Sequence, residues 1–196
     1  MIVAEKLLAY PIPKIRQSLR WQDVALYNLS IGLGQDPMDK RQLPFTHEPG
    51  LQAMRSMAVV LGYPGFGVKA PDTGVDWVKV VHGEQSLILH EPLPASGEVI
   101  GTSRVTGIVD RGPGKGAMIY SERVVRDAAT GEKLATLEMT TFARGDGGFG
   151  GASGPVKPPH PAAEGPPDLT LDLPTDRKST RLNSSHLDLS RMPSSA

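Results

Sequence analysis

The chain has 196 residues, and its 21 basic and 21 acidic side chains cancel to a formal net charge of zero. That balance argues against a nucleic-acid partner or a membrane surface held by bulk positive charge. The sequence contains no cysteine, which excludes disulfide scaffolds, thiolate nucleophiles and cysteine-ligated metal sites, and no apolar run approaches the roughly 20 residues that span a bilayer.

The first ten residues carry Glu5 and Lys6 inside a short apolar stretch and read poorly as a secretory signal, so a soluble, cytoplasmic protein is expected. Residues 19–34 predict a helix, because Trp21, Val24, Ala25, Tyr27 and Leu29 recur at spacings of three and four and Gly32 and Gly34 follow as a stop. Residues 40–74 are mixed, with a short helix predicted over 51–61, closed by Gly62 and Pro64. Strands are predicted over 75–90, 98–110, 117–127 and 132–144, separated by proline- and glycine-bearing connections. Their short spacing suggests an antiparallel meander. In the last strand Leu134, Thr136, Glu138 and Thr140 are expected on one face and Ala135, Leu137 and Met139 on the other. One or two helices on such a curled sheet make the fold class α+β.

Composition then changes. Residues 145–175 hold seven glycines and seven prolines, which fits a linker and neither helix nor central strand. Residues 176–196, with six serines, are too polar to build a core. Within them the string from Arg177 to His186 reads as translated sequencing adaptor, and the segment is set aside from the fold. The expected organisation is an ordered unit over 1–144, a linker over 145–175 and a disordered tail over 176–196.

Few motifs carry chemistry. Gly145-Asp-Gly147-Gly-Phe-Gly150 satisfies a dinucleotide-binding pattern, but Gly151-Ala-Ser-Gly-Pro155 follows where a helix must begin. Gly112-Pro-Gly114-Lys115-Gly116 lacks the spacing of a phosphate loop and reads as a hairpin turn. The histidines show no metal-ligand spacing, and no nucleophile elbow supports a serine triad. His82 stands out because Gly83 follows it within a strand pattern, where backbone and imidazole approach something closely. A hydrogen-bonded structural histidine satisfies the same pattern.

Four strings together resemble a known family: Trp21-Gln-Asp-Val-Ala-Leu-Tyr27, Val81-His-Gly-Glu-Gln85, Leu89-His-Glu-Pro-Leu-Pro94, and the run from Thr141 to Gly151. They are similar, in order, to the N-terminal half of the MaoC-like 2-enoyl-CoA hydratase 2 family, which includes the hydratase part of the peroxisomal multifunctional enzyme. The resemblance implies one repeat of a double hotdog fold, in which each antiparallel sheet wraps a helix. It also implies reversible addition of water to trans-2-enoyl-CoA, giving (3R)-3-hydroxyacyl-CoA. In that family the C-terminal repeat carries an Asp and a His five residues apart for acid–base work, while the N-terminal repeat is opened to accept the acyl chain.

Here Arg41 stands five residues after Asp36, and no Asp in the chain has a His at that spacing. The resemblance therefore implies an acyl-CoA-binding half whose catalytic repeat is missing, inactive alone and with no catalytic residue of its own. It implies binding roles for His82 and Gly83 beside the acyl-CoA and for Arg111 at the CoA portion. No cofactor is expected beyond the CoA thioester as substrate. The expected partner is acyl-CoA, with a homodimer or other self-association through the surface meant for the second repeat. Two alternatives are a stand-alone acyl-CoA-binding module and a single-hotdog thioesterase using Glu48 or Glu84.

Overall fold

The computed structural model describes residues 2–36, 38–65, 71–151, 165–170 and 172. The expected tail over 176–196, His160 and His186 lie outside the described residues, as does most of the expected linker. In chain order come α1 (Ala4–Leu8), β1 (Ile15–Leu19), α2 (Trp21–Ser30), α3 (Leu43–Thr46), β2 (Val80–Leu89), β3 (Gly97–Asp110), β4 (Ala117–Asp127) and β5 (Lys133–Ala143). Single 3-10 turns lie at Lys40–Gln42, Arg55–Val59, Pro71–Thr73 and Trp77–Lys79. The five strands form one antiparallel sheet in the order β1-β3-β4-β5-β2, curled over α2 in the α+β hotdog arrangement.

That order corrects the expected meander. Strands β3, β4 and β5 do pair consecutively, but β2 crosses the sheet and pairs with β5, from Val80 opposite Ala143 to Leu89 opposite Ala135. The crossing follows from residues 90–96. His90 N–H donates to the Leu134 carbonyl at 2.8 Å, Pro92 and Pro94 offer no donor, and Leu93 turns into the core. The chain thus runs under the end of the sheet before β3 begins. The strand expected from residue 75 starts five residues later. Residues 75–79 are held instead in a turn, with Asp76 N–H on Asp146 Oδ2 at 2.9 Å and the Lys79 ammonium on the Asp76 carboxylate at 2.8 Å. The helix expected over 51–61 is a 3-10 turn, and β1 and α1 lie in a stretch where no element was expected.

Helix α2 is shorter than 19–34. It opens where Asp23 Oδ2 accepts Arg20 N–H at 3.0 Å, an acidic residue at the positive end of the helix dipole. It ends at Ser30, before Gly32. Val24 and Ala25 face the core, and the fully buried Asn28 lies on the same side. Asn28 Nδ2 donates to the carbonyls of Phe45 (2.7 Å) and Gln52 (2.8 Å), and Oδ1 accepts Met54 N–H at 3.2 Å. The whole amide is satisfied, so burial carries no stranded donor.

The expected alternation in β5 holds from Ala135 onward, since Ala135, Leu137, Thr141 and Ala143 are buried on the inner face. Two residues expected on the other face are buried as well: Thr140, whose hydroxyl donates to Glu84, and Leu134. A register shift opposite Arg126 inserts Leu134 into a bulge, so that it joins Ala135 in the core. The core itself is split. One cluster gathers Leu19, Val24, Leu51, Leu61, Val99, Val125 and Ala135 under α2. The other gathers Ile2, Leu7, Val75, Val80, Ala117, Ile119 and Ala143 at the opposite end of the sheet. A ten-residue helix is about 15 Å long, whereas the fourteen residues of β3 run about 45 Å. The helix therefore cannot cover the inner face, and the middle stays open.

Candidate functional site

The open middle is a cavity of about 370 Å³. Its floor is the inner face of the sheet, with Leu137, Met139 and Thr141 from β5, Ile119, Ser121 and Arg123 from β4, Ser103 and Val105 from β3, and His82 and Gln85 from β2. Its walls are Leu7, Tyr10 and Ile12 on one side and Val59, Val60 and Tyr63 on the other. The lining is mainly apolar with a few polar groups, the composition of a site for an elongated apolar ligand.

His82 sits at the margin on the edge strand. It pairs with Thr141, whereas Glu84 pairs with the next residue, Thr140, and Gly83 is the extra residue of the resulting bulge. A side chain at Gly83 would stand 3.1 Å from the Thr140 carbonyl oxygen, so the bulge is tight against its neighbour. The bulge resets the alternation, placing His82 and Gln85 inward while Glu84 faces away and accepts the Thr140 hydroxyl at 3.0 Å. Neither Glu84 nor Glu48 lines the cavity; the carboxylate at its lining is Glu122, which is paired with Arg104 at 2.9 Å.

Arg111 is elsewhere. It is exposed on the β3–β4 turn, where its N–H donates to the Gly116 carbonyl at 3.1 Å. Three strand spacings separate β3 from β2, about 14 Å. His82 and Gly83 are thus together at the cavity, and Arg111 stands apart at the end of the sheet. The turn beside it is built on Asp110, whose carboxylate accepts N–H bonds from Gly112 (2.8 Å), Gly148 (2.8 Å) and Gly150 (2.9 Å). Those bonds hold its carboxyl below the usual carboxylate range. The glycine run that mimics a dinucleotide motif is consumed by this contact, since a side chain at Gly147 would lie 2.5 Å from the Gly112 oxygen.

Arg123 was not singled out from the sequence. It is 9% exposed, on β4 between Ser103 and Leu137 of the neighbouring strands. One Nη donates to the Val59 carbonyl, and the guanidinium lies 5.1 Å from the centre of the Tyr63 ring. Its Nε has no hydrogen-bond partner, and no carboxylate pairs with it among the described residues. Burial lowers its pKa from the ordinary arginine value. The signal was present in the sequence: Ala117, Ile119, Ser121, Arg123 and Val125 share one face at period two, and only Arg123 among them carries charge.

The profile of the MFE-2 hydratase 2 N-terminal domain matches residues 18–145. Enoyl-CoA hydratase ChsH3 of Mycobacterium tuberculosis is 34% identical over 172 residues, covering 85% of this chain and 58% of that protein. The peroxisomal enoyl-CoA hydratase 2 of Arabidopsis thaliana is 33% identical, covering 78% and 51%. The chain thus spans little more than half the length of these relatives. The full-length peroxisomal multifunctional enzyme type 2 of Drosophila melanogaster superposes with a TM-score of 0.62 at 25% identity, over 86% of this chain and 29% of that one. A MaoC-like dehydratase from Phytophthora capsici gives 0.66 at 24% identity, over 84% and 57%, a likeness of fold. No described helix is long and apolar enough to cross a membrane. With its profile match running from before α2 to the end of β5, the chain belongs to the MFE-2 hydratase 2 N-terminal domain family.

Proposed function

We propose that this chain is the acyl-CoA-binding half of an enoyl-CoA hydratase that adds water to trans-2-enoyl-CoA, giving (3R)-3-hydroxyacyl-CoA in fatty-acid or steroid side-chain β-oxidation. The observation that carries the reading is the apolar cavity left open on the inner face of the sheet, with His82 at its margin. An acyl chain fills it along the strands, burying apolar surface at roughly 25 cal/mol per Å². The Gly83 bulge lets the thioester end approach the backbone, and Arg111 meets the phosphates of CoA where the ligand leaves the sheet.

The acid–base pair belongs to a second repeat. Among the described residues no Asp lines the cavity, and the sequence has no Asp followed five residues later by a His. That repeat packs against the exposed side of β2, an edge strand with one side unpaired. Without it, a second copy of this chain takes the same edge. The lack of acid–base chemistry also favours a second reading, a binding module that holds acyl-CoA without turning it over. We place the protein in the cytoplasm on its sequence, although relatives from Arabidopsis and Drosophila carry peroxisomal names.

Calorimetric titration with decanoyl-CoA tests the site, alongside an assay for hydration of trans-2-decenoyl-CoA. Micromolar binding with no turnover is expected. Absent binding overturns the acyl-CoA site, and turnover at the rate of a two-repeat hydratase overturns the assignment of the chemistry elsewhere.

A further inference from the structure

A guanidinium in the floor of an apolar cavity is an expensive arrangement. Arginine is almost never fully buried without a partner, and taking its charge from water costs several kcal/mol after relaxation. Among the described residues Arg123 has a carbonyl and an aromatic face to offset that cost, and both lie on the Val59–Tyr63 wall. Its Nε–H remains unmatched. On the same inner face, Ser121 on its own strand and Ser103 opposite Arg123 add two hydroxyls. The neighbouring Glu122 also lines the cavity, but its carboxylate is on Arg104 at 2.9 Å, so this end of the cavity is a polar pole with a net cationic group.

The pole lies far from His82. Four residues along β4 separate the His82 row from Arg123, about 13 Å, and two strand spacings add about 10 Å across the sheet. A ligand whose reactive end stands at the β2 margin therefore brings its other end to Arg123.

We propose that Arg123 selects ligands whose apolar chain ends in a carboxylate, binding that anionic group at the inner end of the cavity. Ser103 places a hydroxyl beside it, whereas the Ser121 hydroxyl is directed at the Met139 carbonyl at 3.5 Å. This deepens the reading of the cavity as an acyl-chain site and rests on it. The chemistry is a carboxylate at the end of an aliphatic chain, and two sources present it: an acyl-CoA with a second, terminal carboxyl, or a free fatty acid entering carboxylate first. A guanidinium–carboxylate contact out of water is strong because both members are charged, and a methyl terminus leaves the guanidinium unsatisfied.

The test compares three probes on the whole chain by calorimetry: decanoyl-CoA, the mono-CoA ester of sebacic acid, and decanoate. The sebacic ester is expected to bind about tenfold more tightly than decanoyl-CoA. Arg123→Met should abolish that difference and weaken decanoate about tenfold, because methionine keeps much of the stem volume and removes the charge. A second readout needs no variant: the Arg123 Nε–H proton, followed by NMR, should move downfield when decanoate is added. Equal affinity for the two esters with an unmoved Nε–H signal overturns the proposal, as does equal weakening of all three probes by Arg123→Met or failure of all three to bind. Arg123-dependent binding of decanoate with neither ester bound upholds the carboxylate site and sinks the coenzyme reading instead.

Discussion

Asp110 and Arg123 keep charges under the protein surface in opposite ways. Asp110, 6% exposed, is surrounded by backbone donors from two loops, while Arg123 keeps a donor unused. The difference has a consequence for pH. The Asp110 carboxyl titrates below its unfolded value, so its contribution to stability is complete above about pH 4 and is lost as pH falls through the lower folded value. Asp23, Asp39, Asp76 and Asp127 shift in the same direction, so the measurement is a difference. Urea midpoints from pH 6 down to pH 2 should fall less steeply for Asp110→Asn than for the wild-type chain. Identical slopes would show that the turn does not depend on this charge. Asn28 belongs to the same scale. Its place in the helix repeat looks apolar, and only the distant carbonyls of Phe45 and Gln52 explain a polar residue there.

At the scale of elements, the crossing of the 3-10 turn over β3 fixes the wall of the cavity. Gly62 adopts φ +57° and gives its N–H to Gln17 Oε1 at 2.7 Å, and a side chain at Gly101 would stand 2.1 Å from the Gly62 oxygen. Two backbones touch there with no room between them. Gly101→Ala should lower stability by about 3 kcal/mol, since backbone rather than a flexible side chain must move. Denaturant unfolding at neutral pH measures it, and a loss under about 1 kcal/mol would mean that the wall shifts freely.

The elements legible in the sequence were those with a period. Strands β3, β4 and β5 are long runs that sit between glycine turns, so their bounds fell within a residue of expectation even though β3 and β5 carry bulges. The place of β2 was not legible, because pairing order is decided by a connection whose course depends on Leu93 burying itself and His90 bonding across the sheet. Strand β1 has five residues and alternates only weakly, and its pairing with β3 is long-range information. At the site, His82 and Gly83 were visible as a pair. Arg123 needed the register to show that its face is the cavity face.

Across the whole molecule the open cavity has divided one core into two clusters of unequal support. The larger is bound by α2, the 3-10 turn and the Asn28 bonds. The smaller rests on Ile2, Leu7 and Val75, and the five-residue α1 that brings Leu7 to it is too short to hold itself together. Leu7, Tyr10 and Ile12 are at once the wall of the cavity and the segment beside this weaker cluster. Such a segment detaches with a small free energy while the sheet stays folded. Amide hydrogen exchange should accordingly be faster over residues 3–12 than over the sheet, with β4 and β5 protected up to global unfolding, and a ligand in the cavity should slow the first set without altering the second. If exchange follows that pattern, the rate at which ligand enters is set by how often the N-terminal segment lifts rather than by diffusion to the mouth.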